Sequence, residues 1–512
     1  MRSHHPNRVL VIGHGAIGTA ALPLLLDRLP VPLDRITILD QEDRHSDLLD
    51  HTARGLRCER LSITKGNYAD LLGQRLTAGD LLIDLTSYID TLALVEWCQS
   101  RGVMFLNSSV ERWQGEEGAA HNPEEGLLYP RLWRFHEWML RNPRPNGPTA
   151  VVDHGANPGL VSHFVKQGLQ EIAGTLLNGQ GGPNGCFSTV REALDAGEWA
   201  LLAEALGVRV IQISELDSQS SPTPRPRGEF QSTWSASTMH EEALTLSELC
   251  WGTHEGRVPK ETRTFDAGPR HMVSLDRPGV ETWVRSWTPG GEFPAMVIGH
   301  DETYTIGEHL TVLDGAKVRY RPTVYFAYRP FPPTLESLQE SVEAGSYLQD
   351  EARVVIGGLT TGRDQLGCLL MGHPLKSWWI GSLLSVEEAR ALVCPEVNAT
   401  TLQVAASLAA GLEWLLANPL EGVRLPDDLP HEPILKAARP YLGPFVSRAV
   451  EWAPKDGAAD DGSTAWKFPR FRSKTSLAIE ARPRTTIRPG VRSATRPSEK
   501  SPSTQQVQEE RR

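Results

Sequence analysis

The sequence is poor in cysteine and has no long apolar run. Its 512 residues include six cysteines, which lie far apart and form no Cys-x-x-Cys pair. This argues against a disulfide framework and against a structural zinc site. No stretch approaches the roughly 20 apolar residues of a membrane span, and the N-terminus leads into a strand-like run instead of a signal peptide. We therefore expect no metal site, no membrane partner and a cytoplasmic location.

Positive charge is also scarce outside the C-terminus. The formal net charge is −11, yet residues 470–512 carry 11 Lys and Arg against four Asp and Glu, which leaves −18 for the rest of the chain. Such an acidic body disfavours nucleic acid and favours cationic ligands, although surface carboxylates also serve solubility alone. Residues 473–512 contain repeated Arg-Pro and Ser-Pro pairs and few apolar residues, which predicts a disordered basic tail.

The N-terminal part has the pattern of a dinucleotide-binding domain. An apolar run ends in a Gly-x-Gly-x-x-Gly turn that begins at Gly13, and an Ala- and Leu-rich helical stretch follows. The next strand-like run ends in Asp40, whose carboxylate would accept the ribose hydroxyls and repel the 2′-phosphate of NADP. The pattern therefore predicts NAD as cofactor, with the pyrophosphate at the helix start. The predicted cofactor-binding residues are Gly13, Gly15, Ala16, Ile17, Gly18 and Asp40.

Alternating strands and helices predict an α/β fold with a Rossmann-type parallel sheet in residues 1–155. Residues 156–385 are richer in β segments, for example Ala295–Ile298 and Tyr304–Ile306, and predict a mixed α+β substrate-binding and dimerisation domain. The Ala- and Leu-rich helix predicted at Thr400–Ala417 suggests that the chain returns to the first domain within residues 386–450.

Two segments combine residues that suit a cationic substrate. Acids and tryptophans are dense between residues 215 and 255, and a tryptophan ring face with nearby carboxylates can bind an ammonium group. The same pattern also fits Glu241 and Glu242 on the wet side of a helix and Trp234 in the core. Asn157, in Gly-x-Asn-Pro-Gly, follows a predicted strand at the sheet edge where ligands bind, although the segment also fits a plain helix start.

Two histidines are candidates for proton transfer. His254 and His300 each titrate near neutral pH in an unperturbed state, but a lone histidine is also compatible with a structural role. Neither has a partner at metal-ligand spacing, in line with the expected absence of a metal site.

The chain resembles the bacterial homospermidine synthase family, within the saccharopine-dehydrogenase-like group. The resemblance runs from about Arg8 to about Phe471, and its most specific parts are the Trp-Gly-Thr-His-Glu and Arg-Pro-Tyr-Leu-Gly-Pro runs. The matching segments are residues 12–18, 155–159, 164–167, 233–235, 251–255, 320–323, 398–400 and 439–444.

The resemblance implies a homodimeric enzyme that converts two putrescine molecules to sym-homospermidine and ammonia by oxidation, imine exchange and re-reduction on NAD. It also implies roles for six side chains, with a tryptophan that binds the cation, acids that hold the amines, and an amide and an imidazole around the reacting carbon. These residues are Glu111, Asn157, Glu215, Trp234, Glu242 and His300. Tyr88 stands near the position of a family acid, so the preference among diamines, spermidine included, stays open.

Two other functions fit parts of the sequence. A saccharopine-type amino-acid dehydrogenase would need Arg or Lys in the pocket to bind substrate carboxylates, whereas the candidate segments supply acids. A non-catalytic NAD-binding regulator with the same fold also remains open.

Overall fold

The computed structural model describes residues 5–113, 115, 127–179, 186–260, 262–265, 268, 271–454 and 464–482. Residues up to Ala481 belong to one compact unit. In chain order the strands are β1 (Val9–Ile12), β2 (Ile36–Asp40), β3 (Arg57–Arg60), β4 (Leu81–Asp84), β5 (Met104–Asn107), β6 (Ala150–Val151), β7 (Val210–Asp217), β8 (Glu229–Ser232), β9 (Leu246–Cys250), β10 (Arg263–Thr264), β11 (Met272–Pro278), β12 (Trp283–Thr288), β13 (Gly291–Ile298), β14 (Val312–Asp314), β15 (Lys317–Tyr320), β16 (Thr323–Arg329), β17 (Glu351–Val354), β18 (Arg363–His373), β19 (Lys376–Ser385), β20 (Val423–Arg424) and β21 (Phe445–Val450).

The helices lie between these strands and after the last of them. They are α1 (Ala16–Arg28), α2 (Leu49–Ala53), α3 (Tyr68–Arg75), α4 (Thr91–Arg101), α5 (Leu128–Arg141), α6 (Leu160–Asn178), α7 (Cys186–Ala196), α8 (Trp199–Leu206), α9 (Ala236–Leu244), α10 (Asp301–His309), α11 (Pro332–Glu343), α12 (Val386–Leu392), α13 (Ala399–Ala417), α14 (His431–Ala438) and α15 (Leu477–Glu480).

The first sheet is parallel and has the strand order β20-β6-β5-β4-β1-β2-β3. Its central strands are short and fully buried, as expected for strands covered by helices on both faces. Strand β20 comes from late in the chain, and α13 packs against α1. Among the described residues, α13 alone is long and apolar enough to span a membrane, but most of it is buried in protein, which is typical of a core helix.

The second sheet is mixed and has ten strands. Its main path is β10-β11-β9-β16-β7-β18-β19-β21. Strand β13 branches from this path, because it pairs with both β16 and β12. Strands β16 and β7 run parallel at its centre, while β18 runs antiparallel to β7. Helix α6 packs on β18 and β19 and follows directly from the first sheet. The α/β fold with a second, mixed domain is confirmed.

Two local predictions were wrong. Tyr304–Ile306 lies in helix α10 and not in a strand, because Asp301 and Glu302 in the first turn favour a helix start, and three residues are too few to define a period. The tail does not begin at residue 473. The backbone N–H of Ser473 donates to Trp283 O at 2.8 Å, and Glu480 pairs with Arg329 at 2.6 Å. Residues 483–512 lie outside the described residues.

Candidate active site

The glycine turn between β1 and α1 leaves open space above the helix start. Gly13 has φ +89°, and a Cβ there would lie 3.0 Å from the carbonyl oxygen of Leu85, so glycine is required. A Cβ on Gly15 would meet no atom within 4 Å. A pyrophosphate can therefore approach the backbone N–H groups at the start of α1 closely.

Asp40 ends β2 beside this turn and is held in place by backbone groups. Its Oδ2 accepts a hydrogen bond from the N–H of His14 at 2.7 Å, and its Oδ1 accepts one from the N–H of Glu42 at 2.8 Å. Arg44 lies near three carboxylates, those of Asp40, Glu42 and Asp47. These acids neutralise the arginine, so the site favours ribose hydroxyls over a ribose phosphate.

One cavity of about 630 Å³ extends from the glycine turn to the second sheet. It is lined by Gly15, Ala16 and Ile17 from the turn. It is also lined by all six side chains predicted to touch the substrate, namely Glu111, Asn157, Glu215, Trp234, Glu242 and His300. The structure therefore brings the six predicted substrate residues and three of the six predicted cofactor residues together in one space.

The Asn157 loop folds so tightly that glycine is required at its end. Gly159 has φ +127°, and a Cβ there would lie 1.8 Å from the carbonyl oxygen of Gly155. The turn places the Asn157 side chain over the second sheet, where its Nδ2 donates to Glu215 Oε2 at 3.0 Å. Glu215 is buried on β7, and its burial, followed by the charges of nearby carboxylates, raises its pKa well above the usual range.

His300 lies between two carboxylates. Its Nδ1 contacts Glu302, and its Nε2 is 3.8 Å from Glu242 Oε1. Burial alone would lower the pKa of His300, but the two carboxylates outweigh this effect and raise it to about 9. Burial raises the pKa of Glu242 to about 8 against the opposing charges of His300 and Arg131. The group can thus hold or release protons near neutral pH.

Trp234 lies between β8 and α9, and its side chain is partly buried. Its Nε1 donates to the hydroxyl of Tyr328 at 3.4 Å. Both residues line the cavity, so the indole is anchored at its polar atom and contributes to the wall. Such a ring can bind a cation through its π face.

A smaller lobe of about 410 Å³ shares Glu111, Glu242 and Arg131 with the main cavity. Tyr88 lines this lobe, and burial, then the charge of Asp40, raises its pKa to about 12, so it is a neutral phenol. Burial likewise raises the pKa of Glu111, although Arg131 opposes the shift.

Sequence reasoning missed several charged or polar groups around the cavity. These are Asp153, Arg131, Asp301, Glu302, Tyr328 and Asp364. Arg131 pairs with Asp301 at 3.4 Å, and Arg131 does not lie in a short motif that signals a site. Asp301 and Glu302 had a local signal, because they directly follow the candidate His300 in sequence.

His254 lies outside this cavity. Its Nε2 is 3.1 Å from the carbonyl oxygen of Trp466, and burial lowers its pKa to about 4. This geometry indicates a structural role. Within the described parts of the chain, no group of three or more His, Cys, Asp and Glu is placed to hold a metal ion.

Comparisons with known proteins agree with this arrangement. The saccharopine dehydrogenase NADP binding domain family matches residues 9–142, and the saccharopine dehydrogenase C-terminal domain family matches residues 155–450. A homospermidine synthase from Blastochloris viridis is 36% identical over 473 residues, covering 90% of this chain and 96% of the relative. The chain belongs to the homospermidine synthase family.

Two further members of the family support the assignment. A homospermidine synthase from Mesorhizobium japonicum is 34% identical, covering 90% of this chain and 95% of the relative. The crystal structure of a homospermidine synthase from Legionella pneumophila in complex with NAD has a TM-score of 0.80 and 34% identity, covering 91% of this chain and 98% of that one. The resemblance read from the sequence is confirmed.

Proposed function

We propose that this protein uses NAD to join two putrescine molecules into sym-homospermidine with release of ammonia. The observation that carries the proposal is the single cavity that extends from the glycine turn to Trp234 and the buried carboxylates. A saccharopine-type substrate would instead need free cations for its carboxylates. Arg131 lines the cavity but is paired with Asp301, and acids outnumber it there.

The residues around the glycine turn fit NAD. The first N–H groups of α1 would hold the pyrophosphate and Asp40 the ribose hydroxyls. When bound, NAD accepts a hydride from the carbon beside one amine and returns it to the carbon of the joined product. The Asn157 loop, at the carboxyl end of the first sheet, would orient the substrate at that point.

The cavity residues would handle the charges of the diamine. Glu215 would take a proton from the reacting ammonium, since only a free amine gives up hydride readily, and Asn157 would hold the Glu215 carboxyl in position. The ring of Trp234 would stabilise the cation that forms at the reacting carbon. Glu242 and Glu111 would hold the distal ammonium group through charge-assisted hydrogen bonds.

The test is an assay with putrescine and NAD at far less than the diamine concentration. We expect one ammonia per triamine and no net accumulation of NADH, measured by chromatography and absorbance. NADH formed in proportion to consumed diamine would indicate a simple dehydrogenase. Binding of NAD without any product would indicate a regulator. Replacing putrescine with butylamine is the matched control, because the monoamine lacks the distal ammonium group.

We further propose a homodimer in the cytoplasm. Five cysteines among the described residues are free thiols, which supports a reducing compartment. Light scattering during size-exclusion chromatography tests the dimer, and a mass near twice 56.5 kDa is expected.

A further inference from the structure

Three buried carboxyl groups lie side by side beneath the cavity. Glu215 and Asp217 point to the same face of β7, and Asp364 on the neighbouring β18 is directly opposite Asp217 in the register. All three are almost completely buried. Within the described residues, no Arg, Lys or His forms a salt bridge with any of them. The cluster therefore needs protons or a cationic ligand to offset its charge.

Neutral side chains donate hydrogen bonds to two of these carboxyls, Asp217 and Asp364. Asp364 Oδ2 accepts from the hydroxyl of Thr400 at 2.6 Å, and Asp217 accepts from Thr233 at 2.7 Å. Gln219 donates to both Asp217 and Thr400, and it thereby links the hydrogen bonds around Asp217 to those around Asp364. These contacts explain why the segments at 233–235 and 398–400 carry hydroxyl and amide side chains.

Glu215 is opposite Leu366 in the register, so Asp364 lies diagonally next to Glu215 on the same face of the two strands. Asp364 Oδ1 is buried and has no N–H or hydroxyl donor among the described residues, so a proton on one of the two neighbouring carboxyls is the group that can satisfy it. Two carboxylates in contact cannot both be ionised in a buried place, and they share a proton instead. Glu215 is the member of the pair that lines the cavity.

We infer that Asp364 is a positioning residue that shares one proton with Glu215 and keeps Glu215 able to take and return a proton during the reaction. The inference rests on the proposed function. Burial, then the neighbouring carboxylates, raises the pKa of both groups well above the usual range, in agreement with the shared proton. The other titratable groups that face the pair are Asp217, Glu302 and Tyr328.

The proton balance of the reaction explains the need for such a pair. First an N–H bond of the reacting ammonium breaks and an O–H bond forms on Glu215, so the pair carries two protons and no charge. Hydride then leaves the carbon for NAD⁺, and an iminium forms. A second diamine attacks as a free amine, an internal proton shift follows, and ammonia leaves. After the hydride returns, the secondary amine nitrogen takes its proton back and the pair regains one negative charge.

The test compares two variants with opposite expected effects. Asp364→Asn replaces the shared proton with a fixed amide donor, which favours ionised Glu215. The acid limb of the kcat/KM profile should move down by about one pH unit, and the rate at neutral pH should fall roughly tenfold or more because the base is weaker. Thr400→Val removes the donor to the Asp364 carboxylate, so the limb should move up. NAD binding should not change in either variant.

Glu255→Gln is the matched control for the loss of a buried carboxyl. Glu255 accepts hydrogen bonds from Thr323 and from the N–H of Phe468, and it lies outside the cavity. This variant should lose stability but keep the wild-type pH profile. If the wild type is active and both Asp364→Asn and Thr400→Val keep its pH profile, the inference is overturned while the proposed function stands. A wild type that makes no triamine would instead reject the proposed function.

A second measurement does not depend on turnover. The measurement is the infrared spectrum of protein labelled with [4-¹³C]aspartate. At neutral pH it should show the carbonyl band of a protonated carboxylic acid in the Glu215–Asp364 pair. This band should be altered in Asp364→Asn. Identical wild-type and variant spectra in that region would show that no proton is shared, and would reject the inference even if the variant is inactive or poorly folded.

Discussion

Asn398 donates its side-chain Nδ2 to the backbone carbonyl of Thr233 at 2.7 Å. The same amide group donates to the carbonyl of Val355 at 3.1 Å, while Asn398 Oδ1 accepts from the N–H of Thr401 in the first turn of α13. The start of α13, a helix that packs against α1 of the first domain, thus holds the loop that carries Trp234 in place. A buried amide in this position couples the geometry of the candidate substrate site to the nucleotide-binding half of the molecule.

Replacing Trp234 tests whether its ring binds the cation. Trp234→Phe should keep part of the activity, because a benzene ring retains a weaker π face. Trp234→Ala should lose about 1–2 kcal/mol or more of transition-state stabilisation, roughly tenfold or more in kcat/KM. Steady-state kinetics with putrescine, together with melting temperatures, measures both effects.

Trp283 supplies the control for a buried indole. It is almost fully buried and donates to the carbonyl of Val280 at 2.8 Å. Trp283→Phe should lower the melting temperature and leave the kinetics of the folded protein unchanged. A Trp234→Ala protein that melts early yet turns over putrescine normally would reject the cation-binding role.

Asp40 should determine the choice between NAD and NADP. Asp40→Arg exchanges an acceptor of ribose hydroxyls for a phosphate partner and also releases Arg44 from one of its three acids. NAD binding should weaken and NADP binding should improve, measured by calorimetry. Asp40→Asn removes only the charge, so it should weaken NAD binding but improve NADP binding less than Asp40→Arg does. An unchanged preference in Asp40→Arg would show that the ribose lies elsewhere.

The Asn157 loop should not tolerate a side chain at Gly159. Gly159→Ala places a Cβ against the carbonyl of Gly155 at a φ that L-residues avoid, so we expect a loss of more than about 3 kcal/mol in unfolding free energy. Gly174→Ala is the control, since Gly174 lies in α6, the helix that follows this loop, and its Cβ would meet nothing within 4 Å. That variant should be stabilised by about 0.5–1 kcal/mol. Equal melting temperatures for the two would contradict the structure of the loop.

Two truncations test where the ordered chain ends. A chain ending at Ala481 should keep wild-type turnover and melting temperature. A chain ending at Arg472 loses the buried side chain of Leu477 and leaves Arg329 without Glu480. It should lose at least about 2 kcal/mol of unfolding free energy, measured by urea denaturation. Equal stability of the two would restore the predicted boundary at residue 473.

The nucleotide-binding part was the more predictable half. The glycine turn and Asp40 are local signals, because each residue acts through its own backbone position. The candidate substrate side needed the family resemblance to bring its residues together, since the side chains of Glu111, Glu215 and His300 come from strands and loops far apart in sequence. Asp364 had no signal at all. Its importance comes from strand register, which places it beside β7 and cannot be read from its own neighbours in the chain.

The stability of the protein without ligand should fall as the pH rises from about 6 to about 9. Glu242 has a pKa near 8 when folded and an ordinary one when unfolded, so above pH 4.5 the unfolded chain has released a proton that the folded chain still holds. His300 acts in the same direction, because its folded pKa of about 9 exceeds its unfolded value. Its contribution is present below pH 6.5 and is lost as the pH rises through 9.

Glu242→Gln should therefore flatten the alkaline decline. Glutamine does not titrate, and without the Glu242 carboxylate the pKa of His300 is expected to fall as well, so both contributions shrink. Melting temperatures at half-unit steps from pH 6 to pH 9 measure the slopes. Added putrescine should also flatten the wild-type curve, because its ammonium groups stabilise the ionised carboxylates. A wild-type melting temperature that rises over this range, or equal slopes in wild type and Glu242→Gln, would show that Glu242 and His300 are not the groups that titrate in the folded cavity.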